Sequence, residues 1–118
     1  DVSNMKNMFA RATSFNQYIN DWSVNNVTTM EGMFAGATSF DQSLNKWVLS
    51  EKLIDASGMF MGASSFNQDI SNWDVSNVTD MYNMFENAFS LSAGNKCAIH
   101  ASFSLYDAWP YDWSTYCD

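Results

Sequence analysis

The sequence predicts an α/β solenoid in which every repeat of about 25 residues adds one short strand and one short helix. Three columns of residues carry this prediction, because they share one period over about three quarters of the chain. The columns are Met8-Phe9, Met33-Phe34, Met59-Phe60 and Met84-Phe85; then Trp22, Trp47 and Trp73; then Ile19, Leu44 and Ile70. A fixed period of roughly 20 to 50 residues is the sequence signature of proteins built by stacking one structural unit.

The predicted helix of each repeat follows from apolar residues at i, i+3, i+4 and i+7, which lie on one helical face. These residues are Met5, Met8, Phe9 and Ala12; Met30, Met33, Phe34 and Ala37; Ala56, Met59, Phe60 and Ala63; and Met81, Met84, Phe85 and Ala88. Thr28 and Glu31 fit a capping box at the start of the second helix. Such short helices are marginal alone, so packing against neighbouring repeats has to hold them.

The predicted strand of each repeat follows the tryptophan column. Trp73 and Val75 alternate with polar residues, which is the period of a half-buried strand. The third repeat is one residue longer than its neighbours, and the additional residue lies between Val48 and Asp55. We expect a bulge or a widened turn there.

Two regions divide the chain. Residues 1–92 hold about three and a half repeats, and residues 93–118 form an aromatic-rich C-terminal cap for the last repeat. Residues Ala93 to Phe103 predict a short helix, and Pro110 interrupts regular structure after it. The aromatic residues of the cap are Phe103, Tyr106, Trp109, Tyr111, Trp113 and Tyr116. A carbohydrate-binding patch is the alternative interpretation of these rings. The same alternative applies to the column of Trp22, Trp47 and Trp73.

Composition excludes several classes of partner. Five Lys and Arg against thirteen Asp and Glu give a net charge of −8, which argues against nucleic acid and against an anionic membrane surface. No apolar run approaches the roughly 20 residues of a membrane span. The abundant neutral polar residues indicate a surface rich in amides and hydroxyls.

No catalytic set, metal site or cofactor site is predicted. His100 is the single histidine, and Cys97 lies three residues before it without a third partner for nucleophilic catalysis. The polar column of Asn16, Asp41 and Asn67 could form a calcium ladder, but one carboxylate among amides supplies little charge for that ion. The favoured interpretation is a column of side chains that satisfies backbone groups between repeats. We expect a protein that is not an enzyme.

A family resemblance adds to this interpretation. It is carried by SFNQDI at residues 65–70, WDVSNVTDM at residues 73–81 and MF at residues 84–85. This text closely resembles the repeat of BspA-like leucine-rich-repeat surface proteins, which are common in mycoplasma lipoproteins, other bacterial surface proteins and marine microalgae. The resemblance spans about residues 1–92 and departs from the family at Val48 to Ala56. It implies a leucine-rich-repeat-like fold and a non-enzymatic protein that is extracellular or anchored at the cell surface.

The secreted context that the resemblance implies bears on the two cysteines and on two sequons. A lone pair of cysteines in an oxidising compartment favours a disulfide between Cys97 and Cys117. Asn26 and Asn77 each begin an N-x-Thr pattern at equivalent positions of two repeats, so both predict N-glycosylation in a eukaryotic secretory source. Their alternative role is structural, since Asn and Thr are good turn and cap residues.

The two ends of the predicted stack differ. Asp1 aligns with the middle of a repeat, so we expect an uncovered apolar edge at Met5, Met8 and Phe9. Trp109 and Trp113 would cover the opposite end. Contact between unlike ends is heterologous and propagates as a filament when it does not close into a ring. The competing expectations are earlier repeats that cover the edge, or an edge that a few polar residues suffice to cover.

The predicted function is therefore a non-catalytic extracellular repeat module, structural or adhesive, with head-to-tail filaments as one form of assembly. Its partners would be other copies of itself or surface proteins and glycans. A carbohydrate- or host-ligand-binding domain is the alternative from a different class.

Overall fold

Each copy of the repeat contains two consecutive tight turns at the position of the predicted helix. The structure, a computed structural model, describes residues 2–117. In the second copy the N–H of Met33 donates to the carbonyl of Met30 at 3.0 Å, and Ala37 donates to Phe34 at 3.0 Å. Both bonds run from residue i+3 to residue i, as in a β-turn. We call the ranges 5–12, 30–37, 56–63 and 81–88 the four turn segments.

A left-handed backbone recurs at every fourth residue of the turn segments. The residues concerned are Asn7, Arg11, Gly32, Gly36, Gly58, Gly62, Asn83 and Asn87, with φ between 56° and 72°. A positive φ at the third residue of a turn defines its type and favours Gly or Asn there. An α-helix cannot contain this conformation, because all its residues have negative φ.

Successive turn segments are joined by hydrogen bonds between their backbones. The N–H groups of Gly32, Phe34 and Gly36 donate to carbonyls of the third turn segment at 2.9, 2.8 and 2.7 Å. The first and third turn segments donate to their successors in the same way. Isolated parallel bridges link Asn4, Thr29, Asp55 and Asp80 in that order. The turn segments are therefore stacked in register along the direction of the chain.

The predicted α/β solenoid with a strand and a helix in every repeat is wrong. Within residues 2–117 the regular elements are helix α1, Ala93–Phe103, and a 3-10 helix, Ser114–Cys117. Strand structure in this part of the chain is limited to the isolated bridges, which form no sheet. The predicted strand near Trp73 is replaced by turns, in which Trp73 donates to Ile70 and Val78 donates to Val75.

The apolar pattern was misleading because tandem four-residue turns bury the same positions as a helix. Met33 and Phe34 both point into the core, as the helical interpretation required. The contrary signal was Gly32 and Gly36, since glycine is a poor helix former and tolerates positive φ. Helix α1, in contrast, has the predicted bounds, and its prediction is confirmed.

The core consists of columns of side chains that run through the stack. Phe9, Phe34, Phe60 and Phe85 form one column, with ring centroids 5.7, 5.5 and 5.5 Å apart. Phe15, Phe40 and Phe66 form a second one beside it. Six of the seven methionines on the predicted apolar faces are buried, namely Met5, Met30, Met33, Met59, Met81 and Met84, whereas Met8 is exposed.

The additional residue of the third repeat lies directly after Trp47. The N–H of Leu53 donates to the carbonyl of Ser50 and closes a turn. The equivalent turn after Trp22 is closed by the bond from the N–H of Val27 to the carbonyl of Val24. Trp47 is three residues before its turn, whereas Trp22 is two residues before its own. Val48 is 75% exposed, so the longer connection bulges outward and leaves the core columns in register.

A glycine substitution tests the left-handed positions. A Cβ added at Gly58 would meet only the flexible end of Met61, at 3.9 Å, so the cost of Gly58→Ala comes from the backbone at φ +62°. We expect the free energy of unfolding to fall by about 1–2 kcal/mol. Chemical denaturation followed by circular dichroism measures it.

Two variants serve as controls for Gly58→Ala. Gly94 lies in α1 with open space around an added Cβ, so Gly94→Ala should leave stability unchanged or raise it by up to about 1 kcal/mol. Gly58→Asn should lose less than Gly58→Ala, because Asn7 and Asn83 hold the same conformation in other segments. Equal losses for Asn and Ala would contradict the conformational explanation.

Candidate interaction surfaces

A ladder of side-chain oxygens joins the loops that follow the turn segments. Asn16 Oδ1 accepts the backbone N–H of Asp41 at 2.9 Å, and Asp41 Oδ1 accepts that of Asn67 at 2.9 Å. Asn67 Oδ1 accepts the N–H of Ser92 at 2.8 Å. Each oxygen thus satisfies a backbone donor one repeat later.

Side-chain amides complete this ladder. Gln42 Nε2 donates to Asn16 Oδ1 at 3.1 Å, and Gln68 Nε2 donates to Asp41 Oδ1 at 2.9 Å. The oxygens therefore face N–H donors, which is the arrangement of a hydrogen-bonding column and not of a calcium ladder. Among residues 2–117 no group of three or more His, Cys, Asp and Glu is placed to hold a metal ion.

Asp41 allows the contribution of the ladder to be measured. Asp41→Ala removes the acceptor of two hydrogen bonds, so the free energy of unfolding should fall by about 1–3 kcal/mol. Asp41→Asn keeps an oxygen at this position and should retain most of the stability. Urea titrations of the two variants give the comparison, and an Asn variant as unstable as the Ala variant would refute the proposed role of Oδ1.

The last rung of the ladder is also the beginning of the C-terminal cap. Ser92 is the N-cap of α1, and its Oγ accepts the N–H of Asn95 at 3.1 Å. Asn95 Nδ2 in turn donates to Asn67 Oδ1 at 2.9 Å, in the place that glutamine has in earlier repeats. The helix is therefore fixed to the stack by the same bonds that join the repeats, and it buries Ile99 and Phe103.

The predicted disulfide is present. Cys97 of α1 is bonded to Cys117 of the 3-10 helix, with the two Cα atoms 4.9 Å apart. The bridge closes the cap on itself, because it connects the helix that leaves the stack with the final turn of the described chain.

Three aromatic residues of the cap cover the end of the phenylalanine column. Trp109, Tyr111 and Trp113 have ring centroids 6.1, 6.4 and 5.4 Å from that of Phe85. Tyr111 Oη accepts the N–H of Phe85 at 3.1 Å, where a following turn segment would offer a carbonyl. Burial raises the pKa of Tyr111. Tyr111 thus substitutes for one bond of the next layer.

His100 and Lys96 hold the two tryptophans in place. His100 Nδ1 accepts the indole N–H of Trp109 at 3.1 Å and the backbone N–H of Trp113 at 3.3 Å. Lys96 Nζ lies 5.6 Å from the ring of Trp113, on which Tyr111 also stacks at 5.0 Å. His100 therefore connects α1 to the segment that carries Trp109 and Trp113.

At the opposite end of the stack, which we call the N-terminal face, residues 2–117 place no further layer on the first turn segment. Trp22 is 39% exposed, whereas Trp47 and Trp73 of the same column are 2% and 4% exposed. The indoles of the two buried tryptophans donate to carbonyls of the preceding repeat at 2.9 and 3.0 Å. Of the predicted assembly edge, Met8 is exposed, Phe9 is half-buried and Met5 is buried. A shallow apolar cleft between Val2, Met5, Met8, Trp22 and Ser23 marks this face.

Both predicted glycosylation sites lie on the surface. Asn26 and Asn77 are exposed at equivalent turns. The threonines of the two sequons have a structural role, since Thr28 Oγ1 donates to Ser3 at 3.0 Å and Thr79 Oγ1 donates to Ile54 at 3.2 Å. Glycosylation stays a prediction.

The sequence did not predict which backbone groups of the first and last turn segments lack a partner in a neighbouring turn segment. The carbonyls of Lys6 and Ala10 at one end and the N–H groups of Asn83 and Asn87 at the other have no hydrogen-bond partner among residues 2–117. The sequence signal that could have marked these outer turn segments is a change of residue type. The left-handed positions hold Gly in the two inner turn segments and Asn or Arg in the two outer ones.

These features define a stack of sequence-related turn segments that carries a disulfide-closed cap at one end. A family model described as "Mycoplasma protein of unknown function, DUF285" matches residues 1–96, and the chain belongs to this family. The family is related to BspA-like surface repeats, but the match does not identify a leucine-rich repeat. No curated protein and no solved structure matches the chain. Within residues 2–117 no helix has the length and apolar character needed to span a membrane.

Proposed function

We propose that the chain is a non-catalytic extracellular module with a structural or adhesive role at a cell surface. The observation that carries the proposal is the use of its recurring polar groups. Asn16, Asp41 and Asn67 bind backbone donors of the next repeat, and Trp47 and Trp73 bind carbonyls of the previous one. Residues that repeat in the sequence therefore serve the stack itself, as expected for a building block.

The disulfide supports the extracellular location. Bridges such as Cys97–Cys117 form and persist in oxidising compartments and are rare in reducing ones. The exposed positions of Asn26 and Asn77 suit the same location, and in a eukaryotic source both would carry glycans along one side of the stack. The partners that fit this role are other copies of the chain, surface proteins and glycans.

A carbohydrate- or host-ligand-binding role is the alternative. It is favoured by a cleft at the capped end, where Phe89, 79% exposed, lies with Tyr111 and Trp113. Aromatic rings beside polar groups suit stacking with a sugar or contact with a protein. The alternative has less support, because Trp113 is already in contact with Lys96 and Tyr111.

Surface proteolysis tests the location. Brief protease treatment of intact cells of the source organism should release peptides of this chain. Cys97 and Cys117 should resist alkylation until a reductant is added. Recovery of the peptides only after lysis, with both thiols free, would refute the extracellular proposal.

Bead adhesion separates the two roles. Beads coated with the purified chain should adhere to one another or to the source cells if the role is structural or adhesive. Binding to a glycan array that is lost in Phe89→Ala, without any adhesion of the beads, would favour the alternative. The chain with Leu105→Ala, another highly exposed apolar residue, is the matched control.

A further inference from the structure

We propose that His100 is a pH-sensitive latch of the C-terminal cap: the uncharged ring holds residues 104–113 against α1, and protonation of the ring releases them. We call residues 104–113 the cap segment. Its release uncovers Phe85 at the end of the phenylalanine column. The latch goes beyond the surface role proposed above and does not depend on it.

His100 is uncharged when the cap is closed, because its Nδ1 accepts hydrogen bonds. The indole N–H of Trp109 donates to this nitrogen at 3.1 Å, and the backbone N–H of Trp113 donates to it at 3.3 Å. A ring nitrogen that accepts a bond carries no hydrogen, so the hydrogen of the neutral ring is on Nε2. Neither partner can reverse its role, since an indole N–H and a backbone N–H can only donate.

Protonation of His100 removes the acceptor from this site. A charged imidazole carries hydrogen on both nitrogens, so Nδ1 would direct its own hydrogen at the two N–H groups. Both bonds are then lost, and three donors face one another around a half-buried ring. Turning the ring over does not restore the bonds, because Nε2 also carries a hydrogen. The charged ring and the closed cap are therefore incompatible.

The two bonds lie where the cap closes over the stack. They connect α1 with Trp109 and Trp113, whose rings pack edge to face with centroids 5.2 Å apart. Both rings contact Phe85, at centroid distances of 6.1 and 5.4 Å. The contacts that remain when the two bonds are lost include these ring contacts and the bond from Phe85 N–H to Tyr111 Oη. The latch thus acts on the part of the cap that covers the core.

The disulfide makes release reversible. Cys97 lies in α1 and Cys117 in the 3-10 helix, so the bridge joins the two sides of the cap segment whatever the charge of His100. A segment that is tied at both ends loses less entropy on closing than a free chain end would. Raising the pH should therefore restore the closed cap.

Asp112 of the cap segment acts electrostatically on His100. Its Oδ1 accepts the hydroxyl and the N–H of Ser114 at 2.7 and 3.1 Å. The bond from the hydroxyl is the main cause that lowers the pKa of Asp112, and the positive charge of His100 acts in the same direction. The carboxylate is therefore ionised at mildly acidic pH, and it stabilises the charged imidazole once the cap segment has moved.

Further charged groups at this end of the stack differ in their effect. Lys96 lies one turn before His100 in α1, and its Nζ is 5.6 Å from the centre of the Trp113 ring. Its positive charge opposes protonation of His100 and favours the closed cap. Glu86 of the last turn segment and Asp107 of the cap segment are exposed carboxylates, whose charges are screened by water and salt.

The direction of the pH dependence follows from these contacts. The closed cap requires the uncharged ring, so its stability is fully present above the pH at which a histidine takes up its proton and falls below that pH. For an imidazole in an unfolded chain this pH is about 6.5. Each further pH unit favours the released cap by up to about tenfold. Carboxylates take up protons near about pH 4, so the two effects are separate.

Hydrogen exchange of the full, disulfide-bonded chain tests the latch, with each rate divided by that of the unfolded chain at the same pH. We expect the protection of the Trp113 N–H and of the Trp109 indole N–H to fall about tenfold between about pH 7.5 and about pH 5.5. The N–H of Gly36, which donates to Met61 inside the stack, should keep its protection over this range.

Two variants identify the titrating group. His100→Asn places a side-chain oxygen near the position of Nδ1 and takes up no proton in this range, so the tenfold fall should disappear. Asp107→Asn is the matched control, because it removes a titratable group of the cap segment that has no part in the latch. It should keep the full response.

NMR of the 15N-labelled imidazole gives a second readout that needs no variant. At about pH 7.5 Nδ1 of His100 should be the ring nitrogen without hydrogen. Hydrogen on Nδ1 at that pH, protection of Trp113 that does not change with pH, an equal loss at Gly36, or a response that persists in His100→Asn would each overturn the latch. A cap that ignores pH would leave the proposed surface role intact.

Discussion

Phe60→Ala lowers the free energy of unfolding by about 3–5 kcal/mol. Phe60 is fully buried, and its ring lies 4.2 Å from that of Phe66 and 5.5 Å from those of Phe34 and Phe85. Truncation leaves a cavity in the middle of the column, where stacked layers on both sides prevent the site from collapsing. Guanidinium titration followed by intrinsic fluorescence measures the loss.

Phe89→Ala is the matched control for this prediction. Phe89 is 79% exposed, so the same truncation should change the free energy of unfolding by no more than about 0.5 kcal/mol. Similar losses for the two variants would mean that the phenylalanine column does not carry the core.

Replacing Cys97 and Cys117 by serine lowers the free energy of unfolding by about 3 kcal/mol, the value for a loop of about 20 residues in the chain-entropy model. The cap should open first, because the bridge joins its two ends. Opening exposes Phe85 and the N–H that Tyr111 binds, so the last turn segment becomes the least stable part of the stack.

Differential scanning calorimetry of the Cys-to-Ser variant gives the size of the effect, and limited proteolysis locates it. Cleavage should concentrate between Ser104 and Ser114. Reductant added to the unchanged chain should reproduce the loss and should leave the variant unaffected. A reduced chain with undiminished stability would contradict the role of the bridge.

The sequence was sufficient to predict the buried columns inside the stack, although Met8 and Trp22 of the first repeat are exposed. The period of the repeat placed Met33, Phe34 and Phe60 inside, because any fold that stacks identical units has to bury the columns that recur. It was also sufficient for the bounds of α1, which depend on local interactions. The disulfide followed from the isolated pair of cysteines together with the secreted context implied by the family resemblance.

The backbone path was not predictable from apolar spacing alone. Met30, Met33, Phe34 and Ala37 are buried both in a helix and in two turns that end four residues apart. The difference lies in the hydrogen bonds: a helix satisfies its N–H groups internally, whereas these turns direct every second N–H to the next turn segment. Only the glycines at positions 32 and 36 distinguished the two, through the left-handed φ that they allow.

The open N–H groups and carbonyls at the two ends follow from this backbone path. A helix in each repeat would have left no row of donors at Asn83 and Asn87, and no row of acceptors at Lys6 and Ala10.

Scalar coupling through hydrogen bonds, measured by NMR on the 15N- and 13C-labelled chain, tests these turns most directly. The amide nitrogen of Gly36 should couple to the carbonyl carbon of Met61, across the 2.7 Å bond that joins two turn segments. Coupling of Gly36 to the carbonyl of Gly32, four residues earlier, would instead indicate a helix and would contradict the layered backbone.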